Sequence, residues 1–280
     1  MSPLQSRRLP PVRHVIIWAL VLAAVGPAPA AAQAPAPEPQ VIEITGASYV
    51  EFDEATGVWK AEGQPVAVTR GRTVLRAPRV RYDQRAGVVA AEGGIELADR
   101  GIVVSGDTAD LRLAEDRVRA AGNVKIVSTR EAPPTEMRAP EADGSLRTRR
   151  FSATGGVSLV RGDATLTGRR LDYDDAARVA VVTGEPAARF REASLTAEVV
   201  TLLLEQEMLR GEGSAQVRRG ELSGSARRVE VRSRDSVVRL IGEALLVRGR
   251  DRVTAEEIEA ALDGSRITTR GSSRVVVTPP

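Results

Sequence analysis

A chain of 280 residues carries 40 Lys and Arg against 37 Asp and Glu, one His, no Cys and only 3% aromatic residues. Without cysteine there are no disulfides, thiolate metal sites or thiol nucleophiles. Any core must be filled with Val, Ala, Leu, Ile and Gly, and the length permits one or two domains around it.

The chain opens with Arg7, Arg8 and Arg13, an apolar run at 15–25 (VIIWALVLAAV), and the small-residue sequences Ala28-Pro29-Ala30 and Ala30-Ala31-Ala32. This order of basic, apolar and small residues predicts a signal peptide over 1–32, with an uncleaved anchor as the alternative; the apolar run is short for a membrane span. Removing 1–32 takes three of the 40 basic residues and none of the 37 acidic ones. The remainder is near neutral, which argues against a nucleic-acid partner. His14 leaves with the leader, so no usual triad base or ordinary zinc site remains. The expectation is a protein that is no enzyme and needs no metal or cofactor.

Residues 33–40 begin QAPAPEP and read as a Pro/Ala-rich linker. From 41 to 280 the chain is repetitive. Glycines of A-x-G-like motifs stand at Gly63, Gly93, Gly122, Gly155, Gly184, Gly213, Gly242 and Gly271, mostly 29 residues apart. The one long interval contains Ala132-Pro133-Pro134, a natural loop insertion.

Around each glycine, apolar residues alternate with polar ones, as in Val118, Ala120, Gly122, Val124 and Ile126 against Arg119, Asn123 and Lys125. Such alternation predicts a half-buried antiparallel strand. The second strand of each unit has a phase slip: Gly168 to Leu171 is a step of three, repeated at Ala77/Val80, Gly106/Ala109, Ala139/Ala142, Ala197/Val200, Ala226/Val229 and Ala255/Ile258. A one-residue slip flips later side chains to the other face unless a bulge or corner intervenes. Two long strands per unit, each bent near its middle, follow from this. Tyr82-Asp83 and Tyr173-Asp174 open turns on one side; Arg70-Gly71-Arg72, Arg161-Gly162-Asp163 and Arg219-Gly220-Glu221 form hairpins on the other. The fold class is all-β: an elongated meander of about sixteen antiparallel bent strands, roughly 75 Å long at the usual strand spacing, folded into two leaves with the apolar face inside.

The unit Gly155-Gly156-Val157-x-Leu159-x-Arg161-Gly162-Asp163-Ala164-x-Leu166-x-Gly168-x-x-Leu171-x-Tyr173-Asp174 resembles the organic-solvent-tolerance-A-like repeat, and Ile42-Glu43-Ile44-Thr45-Gly46-Ala47 is similar to that family's opening strand. The resemblance runs over about 41–278. It implies a twisted, half-open β-jellyroll in the periplasm that holds the acyl chains of lipopolysaccharide. It also implies edge-to-edge stacking with inner-membrane and outer-membrane components of the same fold and with further copies, head to tail. This chain is longer than the common bridge protein, with more pronounced repeats.

Ile95, Leu97, Val124, Ile126, Val157, Leu159, Val217 and Leu246 are the candidates to line a lipid groove; as plain core they would pack against the other leaf. Ile42 and Ile44 on the first strand, and Val275 and Val277 on the last, are candidates for assembly by strand addition. Arg161, Arg189 and Arg218 are able to pair with lipid phosphates, though more simply they solubilise the outer face. Two other functions fit less of the pattern: a ligand-free scaffold of the cell envelope, and a polysaccharide-acting enzyme on a parallel β-helix. Strictly amphipathic strands and the lack of a distinctive acidic pair speak against the enzyme.

Overall fold

The computed structural model describes residues 41–232 and 234–278. The expected signal peptide (1–32) and linker (33–40) lie outside the described residues. Nineteen strands follow in chain order: β1 (Glu43–Asp53), β2 (Val58–Arg70), β3 (Thr73–Asp83), β4 (Val88–Asp99), β5 (Ile102–Arg112), β6 (Arg117–Ser128), β7 (Thr135–Ser145), β8 (Arg150–Arg161), β9 (Ala164–Asp174), β10 (Val179–Thr183), β11 (Ala187–Phe190), β12 (Ala193–Thr196), β13 (Val199–Leu203), β14 (Met208–Arg219), β15 (Leu222–Arg232), β16 (Val237–Arg248), β17 (Asp251–Ala261), β18 (Ile267–Arg270) and β19 (Arg274–Val276). The pairs β10/β11, β12/β13 and β18/β19 are each one long strand broken at its bend, because both halves pair with the same neighbour. The sixteen bent strands expected from the periodicity are therefore present, all antiparallel and each beside its chain neighbours.

The bend has a local cause. Between β5 and β6 the register passes from Ser105↔Lys125 to Thr108↔Ala121, so three residues of β6 face two of β5. Gly122 and Asn123, both at positive φ (75° and 49°), supply the excess. The same geometry recurs at Gly184 (φ 74°), where an added Cβ would lie 2.6 Å from the Cβ of Arg169. The glycine is thus required twice, by its left-handed backbone and by the close approach of the neighbouring strand. The sequence alternation places these glycines on the inward face; the structure puts them in the corner bulge. The residue facing each of these two glycines, Asp107 or Arg169, lies within the three-residue slip of the adjacent strand.

Each strand crosses from a hairpin leaf, ending in tight two-residue hairpins such as Arg70–Thr73, to a turn leaf, ending in four-residue turns such as 113–116. Inward residues of both leaves form one apolar cluster from Ala61 to Leu262. Burying a large aliphatic side chain contributes about 1.5–3 kcal/mol. The rows are long and unbroken, which is how a core poor in aromatics stabilises this chain.

The free margins of the two leaves meet along a seam opposite the corners. The first residue of most turns folds inward there: Leu113, Leu146, Leu204 and Leu262 are buried. Each donates its N–H to a carbonyl of the turn before, as in Leu113 N to Gly87 O at 2.9 Å and Leu204 N to Arg178 O at 3.0 Å. The half-open interior that the family resemblance implies is closed in this conformation.

Candidate functional site

The eight predicted groove residues all point inward and are at most 4% exposed. Leu97, Ile126, Leu159, Val217 and Leu246 fall on one cross-strand row, which the pairings trace through Val104, Met137, Leu166, Ala188, Leu195 and Gly224. Ile95, Val124 and Val157 occupy the adjacent row beside the corner, paired with Gly106, Ala139 and Gly168. The structure brings all eight into one interior, where they pack within a single apolar cluster.

The predicted edge residues sit at the two free edges. β1 pairs with β2, and β18 and β19 pair with β17; among the described residues their other sides carry no strand. Ile44 and Val275 begin and end the row described above, opposite Val68 and Val253. Ile42 and Val277 lie just beyond the ends of their strands. Ile42 and Ile44 pack partly against the core, whereas Val275 and Val277 are exposed. β1 also exposes Tyr49, Val50 and Phe52, with the Phe52 ring stacked on Trp59 at 4.4 Å.

At mid-seam a polar group interrupts the row of turn leucines. Asp175 stands 29 residues after Leu146 and 29 before Leu204, and its side chain is fully buried. Its Oδ1 accepts the Tyr173 hydroxyl at 2.7 Å and, from the opposite leaf, the Ser128 hydroxyl at 2.8 Å. Arg130 and Arg149 approach Oδ2 at 3.4 and 3.7 Å. Burial, then the hydrogen bond to Asp175, pushes the Tyr173 hydroxyl well above the ordinary tyrosine range. One step along the seam, Arg178 of the turn leaf pairs with Glu131 of the hairpin leaf, and Arg161 approaches the same carboxylate oxygen at 3.7 Å while donating to the Thr135 hydroxyl at 3.1 Å. Arg70 bridges the seam to Asp116 and the Leu113 carbonyl, and Arg248 donates to the Gly264 carbonyl at 2.9 Å. Beside Arg161 the seam opens into a cleft of about 270 Å³ whose lining includes Ala164, Phe190, Leu202 and Leu204.

Arg161 is therefore at the seam and mostly buried, not on the outer face; as the last residue of β8 it turns toward the margin of the other leaf. The sequence pattern reads Tyr173-Asp174 as the opening of a turn. For Asp174 that holds, since its carboxylate accepts the Ala177 N–H at 2.8 Å. For Asp175 the missed signal was an acid at a repeat position that holds leucine at 113, 146, 204 and 262.

Together these residues form a closed apolar interior, a polar clasp across its margin, and two sheet edges that carry no further strand among the described residues. Residues 136–265, the repeats from β7 through β17, match the family model described as LptA/(LptD N-terminal domain) LPS transport protein. Over these residues the chain is similar to the lipopolysaccharide-transport domain that this family model describes. Among solved structures, LptH of Pseudomonas aeruginosa, titled the LptA homologous periplasmic component of the conserved lipopolysaccharide transport device, is similar at 13% identity and a TM-score of 0.25, over 52% of this chain and 96% of that one. No curated protein matches the chain.

Proposed function

We propose that this is a periplasmic lipopolysaccharide-binding transport protein that bridges the inner and outer membranes, with acyl chains held between its two leaves. The observation that carries the reading is the unbroken inward row from Ile44 to Val275, which ends at a free strand on each side. A lipid moving along such an interior meets the same apolar surface at every strand. Burying a twelve-carbon chain is worth roughly 9–10 kcal/mol against water at about 0.8 kcal/mol per methylene. The chain gains a similar amount in a bilayer, so transfer between the two is nearly neutral, as a conduit requires. No cofactor or catalytic step is needed. Residues 1–32 act as the export signal, 33–40 as a tether and 41–280 as the jellyroll.

Bridging follows from the edges. Sixteen is an even number, so a second copy added head to tail continues the antiparallel order. One register places Ile44 opposite Val275, Ile42 opposite Val277 and Phe52 opposite Ile267 without a further bulge. β1 carries Glu43, Glu51 and Asp53 and no Lys or Arg, while β18 and β19 carry Arg270 and Arg274 and no acid. Opposite charges across the new pair favour this order over head to head. Inner-membrane and outer-membrane components of the same fold would use the same two edges.

The low exposure of the eight interior residues fits the second reading, a ligand-free envelope scaffold, equally well. Native mass spectrometry of the protein purified from cell envelopes separates the two. Co-purifying lipopolysaccharide at a defined stoichiometry is expected; protein free of lipid, and still free after incubation with lipopolysaccharide, would establish the scaffold.

A further inference from the structure

The seam cluster carries an unbalanced charge. Arg130, Arg149, Arg161 and Arg178 surround only two carboxylates, Asp175 and Glu131. Asp175 is fully buried and held by two hydroxyls besides its arginines. Glu131 is half exposed, yet it alone among carboxylates faces Arg161 and Arg178, whose side chains are only 14% and 11% exposed. The Arg178 Nε is buried with no hydrogen-bond partner. Four guanidiniums against two carboxylates leave two positive charges in excess; Arg130 is 41% exposed, but the side chains of Arg149, Arg161 and Arg178 are largely buried. Buried cations without counter-charge are costly, and a phosphate monoester, with about −1.5 to −2 charge and three acceptor oxygens, supplies what is missing. The neighbouring cleft is lined by Arg161, Arg191, Arg234, Asp163 and Glu207 together with Phe190, Leu202 and Leu204, the last three of which belong also to the apolar cluster.

We propose that Arg161 and Arg178 form a phosphoryl-group site at the seam, which anchors the head of an anionic amphiphile whose chain enters between the leaves. The site rests on the reading of the interior given above and adds to it a fixed point for the head. Glu131 is the resident stand-in: it holds the two arginines until a phosphate displaces it.

The test uses the full chain and three probes: dodecyl phosphate below its micelle-forming concentration, 1-dodecanol and inorganic phosphate, each titrated calorimetrically. Dodecyl phosphate should bind about tenfold or more tighter than dodecanol, the margin of one charge-assisted hydrogen bond. The double variant R161Q/R178Q should erase that margin and leave dodecanol binding as it was. E131Q, a change at a half-exposed site that keeps the fold even if the double variant does not, should tighten dodecyl phosphate further. Equal affinity for the two chains, or no effect of E131Q, overturns the phosphoryl site while bound dodecanol keeps the interior reading standing. Inorganic phosphate binding as tightly as dodecyl phosphate overturns it as well, in favour of a simple ion site. If neither chain binds, the site falls together with the interior reading.

Discussion

The Ser128 hydroxyl of the hairpin leaf donates to the Asp175 carboxylate of the turn leaf at 2.8 Å, and both residues are buried. This bond joins two margins that are 47 residues apart in sequence. Replacing Asp175 with Ala leaves Ser128 and Tyr173 without their acceptor and Arg130 and Arg149 without their counter-charge. The expected cost is about 3–5 kcal/mol, the usual result of breaking a buried charged pair from one side. Replacing the whole group with apolar residues (Asp175→Leu, Ser128→Ala, Tyr173→Phe) restores the leucine row and should recover most of that loss. Urea unfolding of the native chain and both variants decides it: an Asp175→Ala midpoint equal to the native one would show that the clasp contributes little.

The corner glycines are not interchangeable. Gly184→Ala puts an L-residue at φ 74° and its Cβ 2.6 Å from the Cβ of Arg169, which is backbone-anchored and cannot swing away. Left-handed strain of about 1–2 kcal/mol and overpacking of about 1–3 kcal/mol then add. Gly156→Ala, at φ 96° with nothing within 4 Å of the new methyl, keeps the strain but not the clash. Gly184→Ala should therefore lower the unfolding midpoint clearly more than Gly156→Ala. The reverse order would mean that the corner is shaped by something other than this close approach.

The sixteen strands, their bends and the inward face were legible because the repeat samples each position several times: a phase slip seen once is noise, but at Ala77, Gly106, Ala139, Gly168, Ala226 and Ala255 it is geometry. The placement of Ile44 and Val275 on the first and last described strands was equally readable. The seam was not. It depends on which hairpin of one leaf meets which turn of the other, a stagger that places Arg70 beside Asp116 and Ser128 beside Asp175. Twist accumulated over several strands sets that stagger, and alternation within a strand carries no trace of it. Arg161 was misassigned although its phase was readable: it stands two residues after inward-facing Leu159 in β8, so continued alternation already points it toward the interior margin. Asp175 was legible in principle, as an acid at a leucine position of the repeat.

Edge assembly can be tested on a clean background, because the chain contains no cysteine. In a mixture of Ile44→Cys and Val275→Cys proteins, mild oxidation should give a disulfide-linked dimer, since the proposed register sets these inward residues directly opposite, where paired Cα atoms lie within disulfide reach. Val275→Cys with Ser48→Cys, which the register separates, should stay largely unlinked. Equal cross-linking of both mixtures would reveal random collision rather than strand addition. Higher salt should slow linkage by screening Glu51 and Asp53 from the arginines of the facing edge.

Stability should fall on both flanks of pH, for different reasons. At Asp172 the Arg170 guanidinium, at Glu136 the Lys125 ammonium and at Glu257 the Arg239 guanidinium hold the carboxyls below their ordinary values. For Asp174, burial opposes ionisation, but the Ala177 N–H and Arg150 outweigh it. A depressed folded value stabilises above the unfolded pKa, near 4, and that contribution disappears as pH drops through the folded value. These pairs are largely solvated, so the acid limb should be shallow and flatten in salt. Tyr173 acts on the other side. Its folded value is raised by burial and by Asp175, so its contribution is complete below the unfolded pKa, near 10, and is lost as pH climbs beyond it, when the unfolded chain ionises and the folded one does not. The limb can reach about 1.4 kcal/mol per pH unit. Urea midpoints taken from pH 8 to pH 11 should decline in the native chain and decline less in Tyr173→Phe, which has nothing at that position to ionise. Parallel declines in the two proteins would show that Tyr173 does not govern the alkaline limb and that the seam opens for another reason.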